Sequence, residues 1–389
     1  MLKINIYPAK EGDALLVRLG NDEINLIIDM GYDGTYQNYM KKDLQSLSAQ
    51  SKKINLMIIT HVDQDHILGA ITFLEENNKK DKIIDIDEIW FNSFRHLQFE
   101  KTCKPLEQDE VHILSSIINQ NKYRRKIDGL HDVTVEQGTT LAKLLYEGSY
   151  NWNSSFQNGA VFDNGDDYRI KINTETSIIL ISPNIEKLNL LARKWKDKLE
   201  SEKYGFIINS DEIFDDAFEL FMKESAVEYL NQNISKVEDI EFSKLVEIEE
   251  KDKSPTNGSS IAFILEYKDS RILFLGDSHE DIIYKKLYDL RSNGYNLTFD
   301  LIKVSHHGSN KNISNRLLQI VKCQKFLFLT DGSHHQHPDL AAIAKITYNF
   351  KNPCIITNYP HPKVEKFKQV AKINGYDFNL ETLNEIVFE

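Results

Sequence analysis

The sequence predicts an α/β fold in which two β-α halves are separated by a long insert. Short apolar runs alternate with amphipathic stretches over residues 1–95 and again over residues 254–389, whereas the middle follows no such rhythm. The chain has 389 residues, of which 41% are hydrophobic and 27% charged, as is ordinary for a globular protein.

The first half begins with strands and then alternates strand and helix. Three short apolar runs separated by turn residues predict strands over residues 3–7, 14–19 and 25–29. Residues 56–60 are continuously apolar up to Thr60, as in a buried strand. Residues 67–77 have apolar positions at i, i+3 and i+4, which predicts a helix.

The predicted insert, residues 96–253, is partly helical. Helices are predicted over residues 109–121, 139–146 and 185–199, and strands over residues 168–173 and 177–182. Residues 201–253 contain 15 acidic residues and 6 lysines, so they carry −9 of the chain's net charge of −12. This acidic stretch predicts amphipathic helices with a solvated face or a flexible lobe, or alternatively a surface that binds a protein partner.

The alternation of strand and helix resumes at residue 254. Strands are predicted over residues 261–267, 271–275, 301–305, 326–330 and 354–357. Helices are predicted over residues 281–291, 314–322, 340–349 and 363–373.

Composition excludes several classes of protein. The sequence has no run of about 18 apolar residues, which a membrane-spanning helix would need, and we find no signal-peptide pattern at the N-terminus. Cys103, Cys323 and Cys354 stand far apart, which argues against a disulfide framework and favours the cytoplasm. The net charge of −12 argues against a broad electrostatic grip on nucleic acid.

Four potential metal ligands follow the predicted strand over residues 56–60. They are His61, Asp63, Asp65 and His66, packed into six residues where a strand ends and a helix begins. Such a turn aims side chains into one small volume, and imidazole and carboxylate are common metal ligands. The alternative is a capping loop in which Asp65 caps the following helix.

A second set of candidates follows later strands. Asp277 ends an apolar strand at a Gly-Asp turn, so its carboxylate could bridge two metals; the alternative is a turn with a helix cap. His306 and His307 also follow a strand. Since adjacent residues of an extended chain point in opposite directions, we expect one of them, with a slight preference for His306, to bind metal. The other would support a ligand or contact substrate.

A third set comprises a loop histidine and several neutral donors. His337 precedes a proline at a helix start, where it could have a catalytic or phosphate-contacting role, with His334 and His335 as alternatives in the same loop. Further residues that could support the ligands or contact substrate are Asp13, Asp29, Asn257, Ser259 and Ser260. The last three fit a structural role in a turn equally well.

These motifs resemble a known family. Residues 61–66 resemble the His-x-His-x-Asp-His signature of metallo-β-lactamase-fold hydrolases, with Asp63 in place of the second histidine. That variant is similar to the soluble hydrolase domain of ComEC-like DNA-internalisation competence proteins. The likeness continues, in order, in residues 11–17, 27–31, 257–260, 271–277, 304–309 and 337–338.

The resemblance implies an αββα sandwich, with residues 96–253 inserted between its halves, and a two-metal site. It implies that the ligands are His61, Asp63, Asp65, His66, Asp277 and one of His306 and His307, and that the catalytic residues are Asp65, Asp277 and His337. Two zinc or manganese ions, with magnesium as a further option, would share a hydroxide and Asp277. Asp63 makes the site harder, which favours manganese or magnesium over zinc. The third, mid-chain ligand of typical members has no clear counterpart, although His96 or His131 could supply it.

The expected function is hydrolysis of a phosphodiester, with a nuclease as the first hypothesis. The substrate would be nucleic acid or another phosphodiester, a protein partner could dock on the acidic insert, and no membrane is involved. A stand-alone nuclease of this kind could be the effector of a bacterial defence module. A second hypothesis is a hydrolase of a small molecule such as a cyclic nucleotide, lactone, thioester or β-lactam. A third is a non-catalytic binding module on a hydrolase scaffold.

Overall fold

The computed structural model describes residues 1–97, 105–121, 124–125, 133–134, 140–165, 169–201, 212–222, 241–333 and 335–389. In chain order the strands are β1 Leu2–Ile6, β2 Ala14–Leu19, β3 Ile24–Met30, β4 Leu56–Ile58, β5 Ile89–Trp90, β6 Arg124–Arg125, β7 Val133–Thr134, β8 Arg169–Lys171, β9 Thr176–Ser182, β10 Ala262–Tyr267, β11 Ser270–Phe274, β12 Leu301–Lys303, β13 Lys325–Phe328, β14 Cys354–Thr357, β15 Asn379–Thr382 and β16 Glu385–Phe388.

The α-helices are α1 Asp33–Thr35, α2 Lys41–Ala49, α3 Gln64–Asn77, α4 Gln108–Gln120, α5 Leu141–Glu147, α6 Ile185–Ser201, α7 Glu212–Met222, α8 Phe242–Glu247, α9 Pro255–Gly258, α10 Glu280–Ser292, α11 Asn315–Ile320, α12 Leu340–Asn349 and α13 Pro362–Ile373. A π-helical turn covers Tyr36–Met40, and 3-10 turns cover Phe94–His96, Ser154–Phe156, Ser305–Gly308 and Asn310–Asn312. Among the helices that the structure describes, none is both long and apolar enough to cross a membrane.

The chain divides into two compact units, each built from separate segments. The first unit comprises Met1–Asp13, Phe162–Asn184 and Ala226–Glu389. The second unit comprises Ala14–Val161 and Ile185–Ser225. The predicted division at residues 95 and 253 stays a prediction.

The first unit contains an eight-stranded sheet in the order β15-β14-β13-β12-β11-β10-β9-β8. Strands β11 to β15 are parallel neighbours, while β8, β9, β10 and β11 pair antiparallel. In the same unit β1 pairs antiparallel with β16. Strands β8 and β9 thus share a sheet with the strands that follow the predicted insert.

Apolar strands and helices form the core of the first unit. Buried side chains of β10 to β14 pack with those of α10 to α13, because these strands are almost continuously apolar. Helix α8 from the acidic stretch joins this core: the Phe242 ring stacks on Tyr376 and Phe367 with centroids 4.6 and 6.0 Å away. Each fully buried phenylalanine contributes about 1.5–3 kcal/mol to folding.

In the second unit β2 pairs antiparallel with β3, and β3, β4 and β5 are parallel neighbours. Helix α3 lies directly against the end of β3, where Gly69 N donates to Gly31 O at 2.8 Å. A Cβ at Gly69 would lie 2.1 Å from Met30 O, so only glycine permits this approach. The close packing brings His66, near the start of α3, beside Asp29 on β3.

Helix α7 belongs to the acidic stretch, yet two of its carboxylates face inward. The Asp215 carboxylate accepts hydrogen bonds from Arg95 Nε (2.8 Å), Arg95 N (2.7 Å) and Ser93 Oγ (3.0 Å). Glu219 is fully buried and accepts from Leu141 N at 2.7 Å, at the N-terminus of α5. The expectation of a solvated acidic face is therefore wrong for α7, because its acids neutralise an arginine and satisfy helix amides.

The predicted α/β class is confirmed. Strands β2 and β14 and helix α12 have the predicted bounds, and the other predicted elements that fall on described residues differ by a few residues at their ends. Strands β15 and β16 follow the last predicted helix and were not predicted. Cys103, His131 and His334 lie outside the described residues.

Candidate metal ligands

Two buried histidines meet in the second unit. Strand β4 leads the chain to His61, and helix α3 carries His66. Their ring centroids lie 4.2 Å apart, and the residues are 3% and 0% exposed. The two imidazoles therefore offer nitrogen ligands to one small, protected volume, as a metal site requires.

Asp29 orients this pair of histidines. Its backbone adopts the left-handed conformation, with φ of 53°. Its Oδ1 accepts from Thr60 N at 2.8 Å, and its Oδ2 accepts from Thr60 Oγ1 at 2.7 Å and from His66 Nδ1 at 2.8 Å. A proton held on Nδ1 leaves the Nε2 lone pair of His66 as the one that can bind metal. Asp29 thus contacts a predicted ligand, and its supporting role stays a prediction.

Asp63 adds a partly buried carboxylate. Its Oδ2 lies 3.3 Å from His61 Nε2. Burial raises the pKa of Asp63, as does the charge of Asp65, while His61 acts in the opposite direction. Its Oδ1 is buried and accepts no hydrogen bond from the residues that the structure describes. A buried carboxylate oxygen beside two imidazoles fits a divalent cation.

Asp65 lies inside the first turn of α3, with its Oδ2 3.6 Å from His66 Nε2. The N-cap residue of this helix is Asp63, whose side chain makes no capping hydrogen bond. The alternative that Asp65 caps the helix is therefore wrong, because a residue within the first turn does not occupy the capping position. Its carboxylate faces the histidine instead.

A second ligand group lies in the first unit. One ligand atom from each of Asp13, Asp277 and His307 lies within 4.8 Å of the others, and all three residues are buried. Ser260 Oγ accepts from Asp277 N at 3.0 Å, which holds the turn after β11. His307 Nδ1 donates to Leu329 O at 2.9 Å, so Nε2, 3.4 Å from Asp277 Oδ2, carries the lone pair.

His306 and His307 both approach Asp277. Their φ angles are 48° and 53°, so neither residue is extended. The Nε2 atoms of His306 and His307 lie 3.9 and 3.4 Å from Asp277 Oδ2. The expectation that the two rings point in opposite directions is therefore wrong, because it assumed an extended chain at this turn. Burial opposes protonation of His306, but the charges of Asp277 and Asp252 raise its pKa.

Lys303 is a buried cation that sequence reasoning missed. The residue is 1% exposed at the end of β12 and forms an ion pair with Asp13. Its Nζ lies 4.0 Å from Asp277 Oδ1 and donates to Gly276 O at 3.1 Å. The signal in the sequence was a single lysine closing an apolar strand, three residues before the first of the two histidines.

Asp252 is a further residue that sequence reasoning missed, since it was counted with the acidic stretch. Its Oδ2 lies 3.3 Å from His306 Nδ1, and its Oδ1 lies 3.6 Å from His279 Nε2. Burial would raise the pKa of Asp252, but hydrogen bonding to His279 and His306 holds it far below its usual range. Asp252 is thus an ionised carboxylate beside a predicted ligand.

The predicted neutral donors divide by role. Asn257 Nδ2 lies 3.3 Å from His306 Nδ1 and donates to Asp252 Oδ2 at 2.8 Å, so it touches the histidine. Ser260 holds the Asp277 turn through the bond described above. Ser259 Oγ donates to Thr256 O at 2.6 Å, which is a local turn contact.

His337 lies beside His306, with ring centroids 5.6 Å apart. Its Nδ1 is 3.2 Å from Asp339 Oδ1. Burial lowers the pKa of His337, and Asp339 acts in the opposite direction. The structure therefore brings His337 next to one predicted ligand and pairs it with a carboxylate.

His96, one candidate for the mid-chain ligand, has a structural environment. Its Nδ1 accepts from Ser93 N at 3.1 Å, and its ring packs edge-on against Trp152 with centroids 4.7 Å apart. Since this contact anchors the 3-10 turn at Phe94–His96, we assign His96 a packing role. The other candidate, His131, lies outside the described residues.

Residues 8–139, about a third of the chain, match a family model described as the Metallo-beta-lactamase superfamily. In the comparison with curated proteins, none matches this sequence. Among solved structures, a mutant of the CmlA beta-hydroxylase matches with 9% sequence identity and a TM-score of 0.35. That match covers 99% of this chain and 53% of the other, so the chain spans about half the length of that protein. A likeness this weak assigns no function to the chain.

The mixed α/β architecture is consistent with the metallo-β-lactamase fold, and the family match includes His61, Asp63, Asp65 and His66. Buried histidines and carboxylates stand together in each unit, and such a donor set suits divalent metals. The superfamily match and these groups support a metal-dependent enzyme.

Proposed function

We propose that the chain is a metal-dependent phosphodiesterase, most simply a nuclease. The observation that carries this proposal is that carboxylate oxygens make up a large part of the candidate metal ligands. Asp63 and Asp65 accompany the two histidines of the second unit, and Asp13 and Asp277 accompany His307 in the first. Carboxylate-rich sites favour hard metals, which in turn suit phosphoryl oxygens.

We propose that both ligand groups serve the same reaction. Their motifs follow one another in the order found in the hydrolase family that they resemble, and that resemblance implies a two-metal site. Manganese or magnesium would be preferred over zinc, because Asp63 stands where the related signature has histidine. When bound, such metals polarise a phosphoryl oxygen and acidify a water molecule. No protein nucleophile is then required.

The protein's own residues would position and balance these ligands. Asp29 keeps the proton of His66 on Nδ1, so that Nε2 remains a ligand. Lys303 offsets the negative charge of Asp13 and Asp277. His337, held by Asp339, would contact a substrate phosphate or hold a proton for the leaving group beside His306.

The test is cleavage of single- and double-stranded DNA and RNA with added manganese, comparing wild type with the double variant Asp65→Ala/His66→Ala. A matched control is Asp109→Ala/His112→Ala, which removes the same two residue types from the exposed face of α4. Metal-dependent cleavage that only the first variant loses supports the proposal.

Two other outcomes would redirect the assignment. Absence of cleavage despite two bound metals, measured by elemental analysis, would move it to small phosphodiesters, lactones or thioesters. Absence of bound metal after incubation with manganese or zinc would overturn the proposal and favour a binding module.

A further inference from the structure

We propose that Asp252 is a positioning residue that fixes the His306 ring with its proton on Nδ1, so that Nε2 is presented as a metal ligand. This inference rests on the proposed function and on the sequence prediction that His306 is one of the metal ligands. Asp252 lies in the acidic stretch, before α9, and its side chain is 7% exposed. It therefore acts from a segment that the sequence motifs do not include.

Hydrogen bonds that do not involve His306 hold the backbone around Asp252. Asp252 N donates to Lys311 O at 3.3 Å, which ties the segment to the 3-10 turn at Asn310–Asn312. Its own Oδ1 accepts from Ser254 N at 2.9 Å. The carboxylate is therefore held in place, with Oδ2 directed at the His306 loop.

Two asparagine amides converge on the same carboxylate oxygen. Asn257 Nδ2 donates to Asp252 Oδ2 at 2.8 Å, and Asn312 Nδ2 donates to it at 3.1 Å. An ionised carboxylate only accepts hydrogen bonds, so it requires the NH₂ end of each amide to face it. Asp252 therefore fixes the orientation of Asn257, and it fixes that of Asn312 together with the carbonyls of Asp277 and Ser278, which accept from the same NH₂ group at 3.3 and 3.1 Å.

The orientation of Asn312 decides the proton on His306. With its NH₂ group turned to Asp252, Asn312 places Oδ1 3.2 Å from His306 Nδ1. Asp252 Oδ2 lies 3.3 Å from the same nitrogen. Two oxygen acceptors beside Nδ1 favour a proton there, because a lone pair on Nδ1 would face both oxygens. Asn257 Nδ2 lies 3.3 Å from the same nitrogen and donates one of its two hydrogens to Asp252 Oδ2 at 2.8 Å, so one donor stands against two acceptors.

The consequence falls on the opposite edge of the ring. A neutral imidazole with its proton on Nδ1 carries its lone pair on Nε2. That Nε2 lies 3.9 Å from Asp277 Oδ2, on the side of the first unit's ligand group. Asp252 thus does for His306 what Asp29 does for His66, although the two carboxylates are more than two hundred residues apart.

The alternative is that Asp252 only closes the loop before α9. That role predicts a loss of folding stability in Asp252 variants, with no selective change at the His306 ring. Two measurements distinguish these roles. One locates the proton on the His306 ring, and the other compares metal affinity among variants whose folding is checked by their melting temperature.

The first measurement is the ¹⁵N spectrum of histidine-labelled full-length protein without metal, at a pH high enough for the rings to be neutral. His306 signals are assigned by comparison with His306→Gln. We expect a protonated Nδ1 and an unprotonated Nε2 in wild type. A proton on Nε2 in wild type overturns the inference even if no Asp252 variant folds.

The second measurement is the affinity for Mn²⁺ by competition with a metal-binding dye. We expect Asp252→Asn to lose the preference for Nδ1–H and to bind the His306-dependent metal about 10–100-fold more weakly. Asp252→Glu should recover part of this loss. The control Asp300→Asn alters another aspartate that accepts a backbone N–H, from Arg271, and should leave both quantities unchanged.

Failure of the inference differs from failure of the proposed function. An unchanged tautomer and unchanged metal affinity in folded Asp252→Asn overturn the inference while leaving the enzyme assignment intact. A wild-type protein that binds no Mn²⁺ overturns both the assignment and the role of His306 as a ligand.

Discussion

Asp29 Oδ2 accepts a hydrogen bond from His66 Nδ1 at 2.8 Å, with both side chains completely buried. The carboxylate also accepts from the backbone and the hydroxyl of Thr60, so it is fixed independently of the histidine. A metal that binds His66 Nε2 would therefore meet a ring that is already oriented, and little ordering entropy remains to be lost.

The first prediction is that Asp29→Asn weakens Mn²⁺ binding by about 10–100-fold. Its amide can turn a donor toward Nδ1, which would move the histidine proton to Nε2 and block the ligand position. Dye competition measures the affinity. Asp87→Asn, at an exposed ion pair with Lys53 in the same unit, is the control and should bind as wild type does. Equal affinities in all three proteins would show that Asp29 does not orient the ligand.

The second prediction concerns Lys303, which pairs with Asp13 and lies 4.0 Å from Asp277 Oδ1. Lys303→Met removes a buried positive charge, so we expect metal-free protein to lose about 3–5 kcal/mol of unfolding free energy. A divalent cation near the same carboxylates would replace that charge. The rise in melting temperature on adding Mn²⁺ should therefore be larger than in wild type.

Differential scanning calorimetry with and without Mn²⁺ measures both effects of Lys303→Met. Lys322→Met removes an exposed lysine of the same unit and should behave as wild type. A metal-dependent rise that is no larger in Lys303→Met than in wild type would contradict an electrostatic role.

Much of the fold could be predicted because many of its strands are continuous apolar runs ending at polar turns. Strand β4 and the start of α3 are one example, and they place His61 and His66 where the motif indicated. Strand β16 was missed because it pairs with β1 at the other end of the chain, and a local sequence pattern does not indicate such a distant contact. The pairing becomes evident only in three dimensions.

The candidate site was predicted unevenly for a similar reason. Ligands gathered in one motif were found, whereas Asp252 and Lys303 were missed because their partners lie far away in the sequence. The error at His306 and His307 arose from local backbone geometry. Their left-handed conformation is uncommon for residues other than glycine, so nothing in the sequence indicated anything but an extended backbone at these two residues.

The third prediction tests the inward-facing acids of α7. Glu219 accepts from Leu141 N at 2.7 Å and from Ala142 N at 3.1 Å, and it is completely buried. Glu219→Ala would leave two buried amides without this acceptor, at a cost of about 2–5 kcal/mol. Urea unfolding measures the loss. The exposed Glu147→Ala, which breaks only a surface pair with Lys143, should change stability by less than about 0.5 kcal/mol. Equal losses would refute the structural role of Glu219.

The fourth prediction uses the pH dependence of stability at Asp216 of α7. Burial raises the pKa of Asp216 to about 6, and the charge of Asp215 adds to this, while the hydrogen bond from Thr140 and the charge of Lys143 oppose it. The folded pKa therefore exceeds that of the unfolded chain, near 4. The folded state binds more protons between these values, so this group adds stability as the pH falls from about 6 to about 4 and subtracts it above.

Asp216→Asn removes this titration while keeping an oxygen that accepts from Thr140 Oγ1. At pH 7 we expect the variant to be more stable than wild type by roughly 1–3 kcal/mol, because it buries no charge. The difference should shrink as the pH is lowered and fall to roughly 0.5 kcal/mol near pH 4, where Asp216 is protonated in the folded state and about half protonated in the unfolded chain. Urea unfolding of both proteins from pH 4 to pH 7 measures it. A difference that stays constant over this range would mean that Asp216 does not titrate there, and a less stable variant at pH 7 would mean that the carboxylate stabilises the helix.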